Sequence, residues 1–162
     1  MSTLTQRELV AAVSRDPVHW LAFGFGLGLM PFAPGTFGSL LGIVAWYWVP
    51  ASLYLQLAVA LAAFLVGIWI CGTSARRLGV HDHGGIVWDE VVGMYLTLLV
   101  VGPDPAWILA AFLLFRLFDI WKPWPIRDLD HSLDNGFGIM LDDVIAALYA
   151  AGTLVLIQTI VF

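Results

Sequence analysis

Long apolar runs alternate with short polar segments along most of the chain. The runs lie at about residues 18–32, 39–50, 52–71, 86–101, 105–121 and 144–162. A bilayer core about 30 Å thick requires roughly 20 helical residues, and only the third run and the last reach that length comfortably. The pattern predicts an all-α, polytopic membrane bundle with about five membrane helices.

The first apolar run differs from the others in its many glycines and prolines, as in VHWLAFGFGLGLMPFAPG. Irregular backbone at membrane depth is tolerated where protein buries it or where it lines a cavity. We therefore expect a re-entrant or interfacial segment here. Residues 1–17 are mixed and polar, unlike a cleavable signal peptide. They are predicted to form a cytoplasmic amphipathic segment, and residues 18–162 the membrane bundle of a single integral membrane domain.

Composition supports the membrane class and excludes several others. The 162 residues are 60% hydrophobic and 12% charged, with a mean hydropathy of +0.90, outside the usual range of soluble domains. The single cysteine, Cys71, excludes an internal disulfide and a cysteine-based zinc cluster. With a net charge of −5 and no basic stripe, no nucleic-acid partner is expected.

The charged residues concentrate on one side of the predicted bundle. When the runs cross a membrane alternately, the basic residues fall on or near one side: Arg7, Arg15, Arg76, Arg77, Arg116, Lys122 and Arg127. Cytoplasmic loops carry an excess of Lys and Arg, so this side is predicted to be cytoplasmic. Acidic residues of helix ends and loops share it, whereas Asp104 lies opposite: Asp82, Asp89, Glu90, Asp119, Asp128, Asp130, Asp134, Asp142 and Asp143.

Two similar motifs place adjacent acids at the start of apolar runs. GGIVWDE carries Asp89 and Glu90, and GFGIMLDD carries Asp142 and Asp143. Acids in a first helical turn gain about 0.3 to 1 kcal/mol from the helix dipole. An acid near bilayer depth costs about 2.5 to 3.5 kcal/mol, so the dipole alone does not explain them. The plain alternative is that they are solvated helix ends.

A third motif, FRLFDIWKPWP, carries three charges in an otherwise apolar run. Arg116, Asp119 and Lys122 recur at every third residue, which keeps them on one stripe of a helix. The stripe is predicted to face the bundle interior, with Arg116 and Lys122 binding an anion. Pro123 is expected to end the helix at Lys122. An internal ion pair between Arg116 and Asp119 is the structural alternative.

Together the motifs predict a cation site beside an anion site. Asp89, Glu90, Asp119, Asp142 and Asp143 would bring five carboxylates to one depth, where they would repel one another. A hard divalent cation relieves that repulsion, and oxygen-only ligands favour Mg²⁺. The segment PFAPGTFGSLLG adds a glycine-containing loop before a helix, where Thr36 and free N–H groups would favour a phosphate or act only as a helix cap.

The motifs APGTFGSL, GGIVWDEVVGM, FRLFDIWKPWPI and GFGIMLDDVIAALYA, in this order, resemble those of the phosphatidylglycerophosphatase A family. The resemblance runs from about Pro31 to Tyr149. It implies an Mg²⁺-dependent phosphoric monoester hydrolase of the bacterial inner membrane, acting on phosphatidylglycerophosphate among membrane phospholipids. Carried over, the family's motif residues are Thr36, Asp89, Glu90, Arg116, Asp119, Lys122, Asp142 and Asp143.

The expected roles follow from phosphoryl chemistry. Asp89, Glu90, Asp119 and Asp143 are the candidate catalytic residues; these four and Asp142 are the candidate metal ligands. Thr36, Arg116 and Lys122 are expected to bind phosphate. The nucleophile is either a water molecule or an aspartate, with Asp89, Asp119 and Asp143 as candidates. A small membrane transporter or cation-binding module without phosphatase activity is the alternative function, because charges at membrane depth also mark transporter sites.

Overall fold

Helices form the fold throughout the part of the chain that the computed structural model describes, which is residues 5–80, 83–124, 126 and 135–161. Asp82, Arg127, Asp128, Asp130 and Asp134 lie outside these residues. The helices are α1 (Gln6–Arg15), α2 (Pro17–Ala22), α3 (Pro34–Trp48), α4 (Leu53–Leu78), α5 (Trp88–Thr97), α6 (Pro105–Trp121) and α7 (Gly136–Val161), with 3₁₀ turns at Leu27–Leu29 and Leu98–Val100. The described residues contain no strand, which confirms the all-α class.

The N-terminal segment contains a helix, α1, with one buried apolar face. Thr5 and Glu8 form a reciprocal capping box that starts α1, and this arrangement satisfies backbone N–H groups that the first turn leaves free. Leu9 and Val13 form the buried face. Asp16 then caps α2 by accepting a hydrogen bond from the Val18 backbone N–H at 2.9 Å. It also forms an ion pair with Arg77, which fixes this segment to the end of α4.

The glycine-rich run that follows is irregular, as predicted. Gly24, Phe25 and Gly26 all have left-handed backbone conformations, with φ angles of 55°, 59° and 90°. Only glycine adopts this region freely, so the two glycines allow the turn that reverses the chain after α2. A 3₁₀ turn follows, and α3 starts at Pro34.

Two helix boundaries differ from the sequence prediction. The expected helix start near residue 144 is wrong, because α7 begins at Gly136. The Asn135 side chain accepts hydrogen bonds from the backbone N–H groups of Phe137 and Gly138, both at 3.0 Å, and so caps the helix about two turns before the expected start. Asp142 and Asp143 therefore lie within α7 rather than at its start. Likewise α4 continues to Leu78, past the expected end near Cys71.

The short helix α5 is the centre of the bundle. It packs against α3, α4, α6 and α7, and most of its side chains are buried. Glycines let its neighbours approach closely. A Cβ on Gly42 of α3 would lie 2.6 Å from the carbonyl oxygen of Val91, and one on Gly93 of α5 would lie 2.7 Å from the Phe115 ring. Small residues thus set the helix spacing around α5.

The contacts define two ends of the bundle. At one end, Gly35 of α3 lies against Glu90 and Arg116, and Lys122 after α6 bonds to Asp142 of α7. At the other end, the Gln158 side chain of α7 donates a hydrogen bond to the Val100 carbonyl. We name the first end the charged end, because it gathers the ion pairs of α5, α6 and α7.

Two helices of the described chain, α4 and α7, are long and apolar enough to cross a membrane, each with 26 residues. The helices α3, α5 and α6 have 15, 10 and 17 residues, so each is shorter than the roughly 20 residues of a full span. The run at 86–101 is not a continuous α-helix, because it changes to a 3₁₀ turn at Leu98.

A matched pair of glycine substitutions tests the packing around α5. Gly42→Ala should lower the free energy of unfolding by about 1 to 3 kcal/mol, because the added methyl meets a backbone carbonyl that cannot move aside. Gly152→Ala, in α7 with open space around its Cα, should be neutral or stabilising by up to about 1 kcal/mol. Thermal unfolding in detergent measures both. Equal stability of the two variants would contradict the packing described here.

Candidate active site

The site begins at the N-terminus of α5. Asp89 and Glu90 are the second and third residues of this helix, where the dipole and the free N–H groups favour negative charge. Asp89 is buried, with 8% of its surface exposed. The chain before it is held in place by a hydrogen bond of 2.9 Å from the Val87 N–H to the Ala22 carbonyl. Both acids therefore face the interior of the charged end.

Asp143 of α7 completes a cluster of three carboxylates. Asp89, Glu90 and Asp143 each offer one oxygen, and these oxygens lie within 4.8 Å of one another. Asp143 is 3% exposed. Oε2 of Glu90 and Oδ2 of Asp143 are buried and accept no hydrogen bond from any residue in the described ranges. We name Asp89, Glu90 and Asp143 the acidic cluster.

The acidic cluster fits the needs of a divalent cation. At an effective dielectric constant of about 20, two ionised carboxylates at this separation repel by about 3 kcal/mol. Mg²⁺ binds oxygen ligands at about 2.1 Å, so carboxylate oxygens within 4.8 Å of one another could reach one ion after small movements of their side chains. Carboxylate oxygens are the ligand type that Mg²⁺ prefers. These three residues could hold a metal ion.

Arg116 and Asp119 of α6 lie beside the acidic cluster. Nη1 of Arg116 is 2.5 Å from Oδ2 of Asp119 and 3.7 Å from Oε1 of Glu90. The Asp119 carboxylate also interacts with that of Asp143. The ion pair between Arg116 and Asp119, which the sequence analysis gave as the structural alternative, is therefore present. It lies next to Glu90 of the acidic cluster. Nε of Arg116 is buried and donates no hydrogen bond to a described residue.

The glycine segment before α3 reaches the same place. Gly35 lies so close to these groups that a Cβ on it would collide with Oε1 of Glu90. The same Cβ would lie 2.9 Å from Nη1 of Arg116. The first turn of α3 therefore lies against both charged groups. Thr36, the predicted phosphate ligand, is the third residue of this helix and is half-buried.

Sequence reasoning missed the role of Gly35. The signal that could have revealed it is the spacing of Gly35, Gly38 and Gly42, which lie three and four residues apart and so form one face of a helix. Such a face of small residues indicates close helix packing. In the structure this face lies on α5, where a Cβ on Gly38 would be 2.8 Å from the Val87 carbonyl oxygen.

Lys122 and Asp142 form a separate pair at the rim of the site. Nζ of Lys122 is 2.6 Å from Oδ2 of Asp142. The expected stripe of three charges on one helix is wrong for Lys122, because α6 ends at Trp121 and Lys122 caps it with a left-handed backbone, φ 45°. The proline that follows disfavours helix at Lys122, and the changed backbone directs its amine to α7.

A second polar group lies between α2 and α4. Nδ1 of His19 is 2.7 Å from Oγ of Ser74, and Nε2 of His19 is 3.8 Å from the Asp16 carboxylate. These residue types resemble a hydrolase triad, but Ser74 is fully buried. Burial lowers the pKa of His19, which keeps the ring neutral and suited to the Ser74 hydrogen bond. The group fixes α2 to α4.

Comparison with known proteins bears on the identity of this site. The family model described as Phosphatidylglycerophosphatase A matches residues 20–158. A phosphatidylglycerophosphatase A of Escherichia coli (strain K12) is 44% identical over 160 residues, which span 94% of this chain and 92% of the relative. One of Haemophilus influenzae is 49% identical over 147 residues, 88% of this chain and 90% of the relative.

A third relative carries a different name. A Bacteroides thetaiotaomicron protein with the provisional name phosphatidylinositol-3-phosphatase is 38% identical over 136 residues, 78% of this chain and 84% of the relative. No solved structure matches the chain. The family match covers the acidic cluster, Arg116, Asp119 and Lys122, and it decides between the enzyme and transporter alternatives. The chain is therefore a phosphatase and belongs to the phosphatidylglycerophosphatase A family.

Proposed function

We propose that this protein hydrolyses the terminal phosphate of phosphatidylglycerophosphate to give phosphatidylglycerol and phosphate, with Mg²⁺, at the cytoplasmic face of the bacterial inner membrane. The observation that carries the proposal is the contact between the acidic cluster and Arg116 at one end of an apolar bundle. Cation ligands and an anion-binding group then meet at the depth of a lipid headgroup. Relatives named phosphatidylglycerophosphatase A support the choice of substrate.

Arg116 is the central phosphate-binding residue in this proposal. Its Nη1 is already held by Asp119, which fixes the guanidinium plane and leaves other N–H donors for phosphoryl oxygens. Guanidinium groups bind such oxygens strongly because their planar donors match two oxygens at once. The first turn of α3, with Thr36, adds the positive end of a helix dipole on the neighbouring side.

Lys122 supplies a second positive charge at the rim. We assign Asp142 to positioning Lys122, because its carboxylate contacts that amine. Its other oxygen accepts a hydrogen bond from the backbone N–H of Asp143 at 3.0 Å. Asp142 thereby links the rim to the acidic cluster without being one of its three members.

The acidic cluster would hold the cation, with Asp119 next to it. A bound Mg²⁺ would offset the negative charge that develops on phosphoryl oxygens, which is the main source of catalysis in phosphoryl transfer. Asp89, Glu90, Asp119 and Asp143 would then lie beside a phosphoryl group bound to Arg116. Either one of the aspartates attacks phosphorus, or a carboxylate orients a water molecule that does so. A labelled covalent adduct on trapping supports the first route, and its absence supports the second.

The membrane placement rests on exposed apolar surface and on charge. We infer that α3, α5 with its 3₁₀ turn, and α6 complete a bundle of about five crossing segments with α4 and α7. Aromatic side chains are exposed near both ends, as in membrane proteins with interfacial aromatic belts. Trp121 and Trp124 lie near the charged end, and Trp48 and Tyr54 near the other. Basic residues at the charged end indicate the cytoplasmic side.

Substitution of the acidic cluster tests the proposed chemistry. Asp89→Asn, Glu90→Gln and Asp143→Asn should each lower kcat for phosphate release at least about 100-fold, a loss typical for preorganised charged groups of an active site. Purified protein is assayed on phosphatidylglycerophosphate with Mg²⁺ and with EDTA, which should stop release. Phosphatidate and phosphatidylinositol 3-phosphate are the competing substrates.

The matched control for these substitutions is Asp104→Asn. Asp104 caps α6 about 22 Å from Asp119, given about 1.5 Å per helical residue. Because asparagine caps helices as well as aspartate, this variant should keep normal activity. Near-normal phosphate release by all three cluster variants would contradict the proposal.

The assignment of Asp142 has its own test. Lys122→Met and Asp142→Asn should each raise KM. The KM of the double variant should be no higher than that of Lys122→Met, because both substitutions remove the same interaction. The Mg²⁺ concentration for half-maximal activity should stay unchanged in Asp142→Asn. A large increase in that concentration would instead make Asp142 a metal ligand, and additive effects on KM would separate it from Lys122.

A further inference from the structure

A shallow, open cleft lies on the outer face of α6, lined by Leu113, Arg116, Leu117, Ile120 and Trp121. The lining residues recur at intervals of three and four, so they form one stripe of the helix. Four of them are apolar and exposed, and the fifth is the arginine of the candidate active site.

Arg116 connects this cleft with the acidic cluster. Its side chain lines the cleft and also bonds to Asp119 and lies 3.7 Å from Glu90. An apolar surface with one cationic group at its inner edge is complementary to an amphiphile whose anionic group enters first. A soluble phosphate ester would gain nothing from the apolar part of this surface.

The position of the cleft along α6 fits a lipid. From Leu113 to Trp121 the cleft follows about 12 Å of helix, at about 1.5 Å per residue. Trp121 is the last residue of α6, at the charged end, and tryptophan favours the level of lipid headgroups. Leu113 and Leu117 lie farther from that end, where acyl chains are found.

We propose that the cleft of α6 binds the glycerol backbone and proximal acyl chain of the lipid phosphomonoester, which enters sideways from the bilayer and places its phosphate on Arg116. This inference rests on the proposed function. It assigns Leu113, Leu117 and Ile120 to recognition of the acyl chain, and it makes the outer face of α6 the entrance to the site.

Chemical labelling of a single introduced cysteine tests the entrance. The native Cys71 is fully buried and should not react, so Leu117→Cys provides one accessible thiol. The control is Leu61→Cys on α4, which has similar exposure, 60% against 52%, and does not line the cleft. Each purified variant is assayed before and after reaction with a bulky apolar maleimide, so that the unlabelled protein reports its own folding.

The substrates are a long-chain phosphatidylglycerophosphate and its short-chain, water-soluble analogue. Labelling of Leu117→Cys should lower the ratio of long-chain to short-chain kcat/KM at least about tenfold, and labelling of Leu61→Cys should leave that ratio unchanged. An unchanged ratio for Leu117→Cys, or an equal change for both variants, would overturn the proposed entrance. Unlabelled wild-type protein that hydrolyses neither substrate would instead contradict the proposed function and the inference that rests on it.

Discussion

The gathering of buried carboxylates at one end of an apolar bundle is the constraint on which the rest of the structure depends. Asp89, Glu90 and Asp143 come from two helices, and their oxygens lie within 4.8 Å of one another. Like charges this close destabilise a protein unless cations compensate them. Arg116 supplies one positive charge beside Glu90, which leaves an excess of negative charge. A divalent cation could compensate the remainder, because these three residues are able to hold a metal ion. The same arrangement explains why an otherwise apolar protein has one polar end.

The architecture of the bundle brings these groups together and keeps them together. Because α5 is short and central, it contacts α3, α6 and α7, and its N-terminal acids lie close to all three helices. Glycines at the contacts allow this close approach, above all Gly35, which leaves space for the Glu90 carboxylate and the Arg116 guanidinium. The charged groups thus meet at one end of the bundle, and the apolar face of α6 leads to the same arginine.

The sequence predicted the helical class and a gathering of five carboxylates, because both follow from features visible in short stretches. Three of the five form the acidic cluster. Asp89 and Glu90 at a helix start and Asp119 near Arg116 were expected and are found there. The separate roles of Asp142 and Asp143 were not distinguishable. Adjacent residues point about 100° apart on a helix, and both aspartates are buried here. The packing of α7 against its neighbours directs Asp142 to Lys122 and Asp143 to the acidic cluster. Pro123 indicated that the helix ends at Lys122, but the left-handed backbone of Lys122 changes the direction of its side chain, which a helical periodicity cannot give.

The most direct measurement of the central claim is the thermal stability of the purified protein with and without Mg²⁺, for the wild type and for Asp143→Asn. A cation that binds only the folded protein raises stability with its concentration. The melting temperature of the wild type should therefore rise with Mg²⁺, whereas Asp143→Asn should be more stable than the wild type without Mg²⁺ and respond little to it. A wild-type melting temperature that does not respond to Mg²⁺, together with a less stable Asp143→Asn variant, would contradict the account.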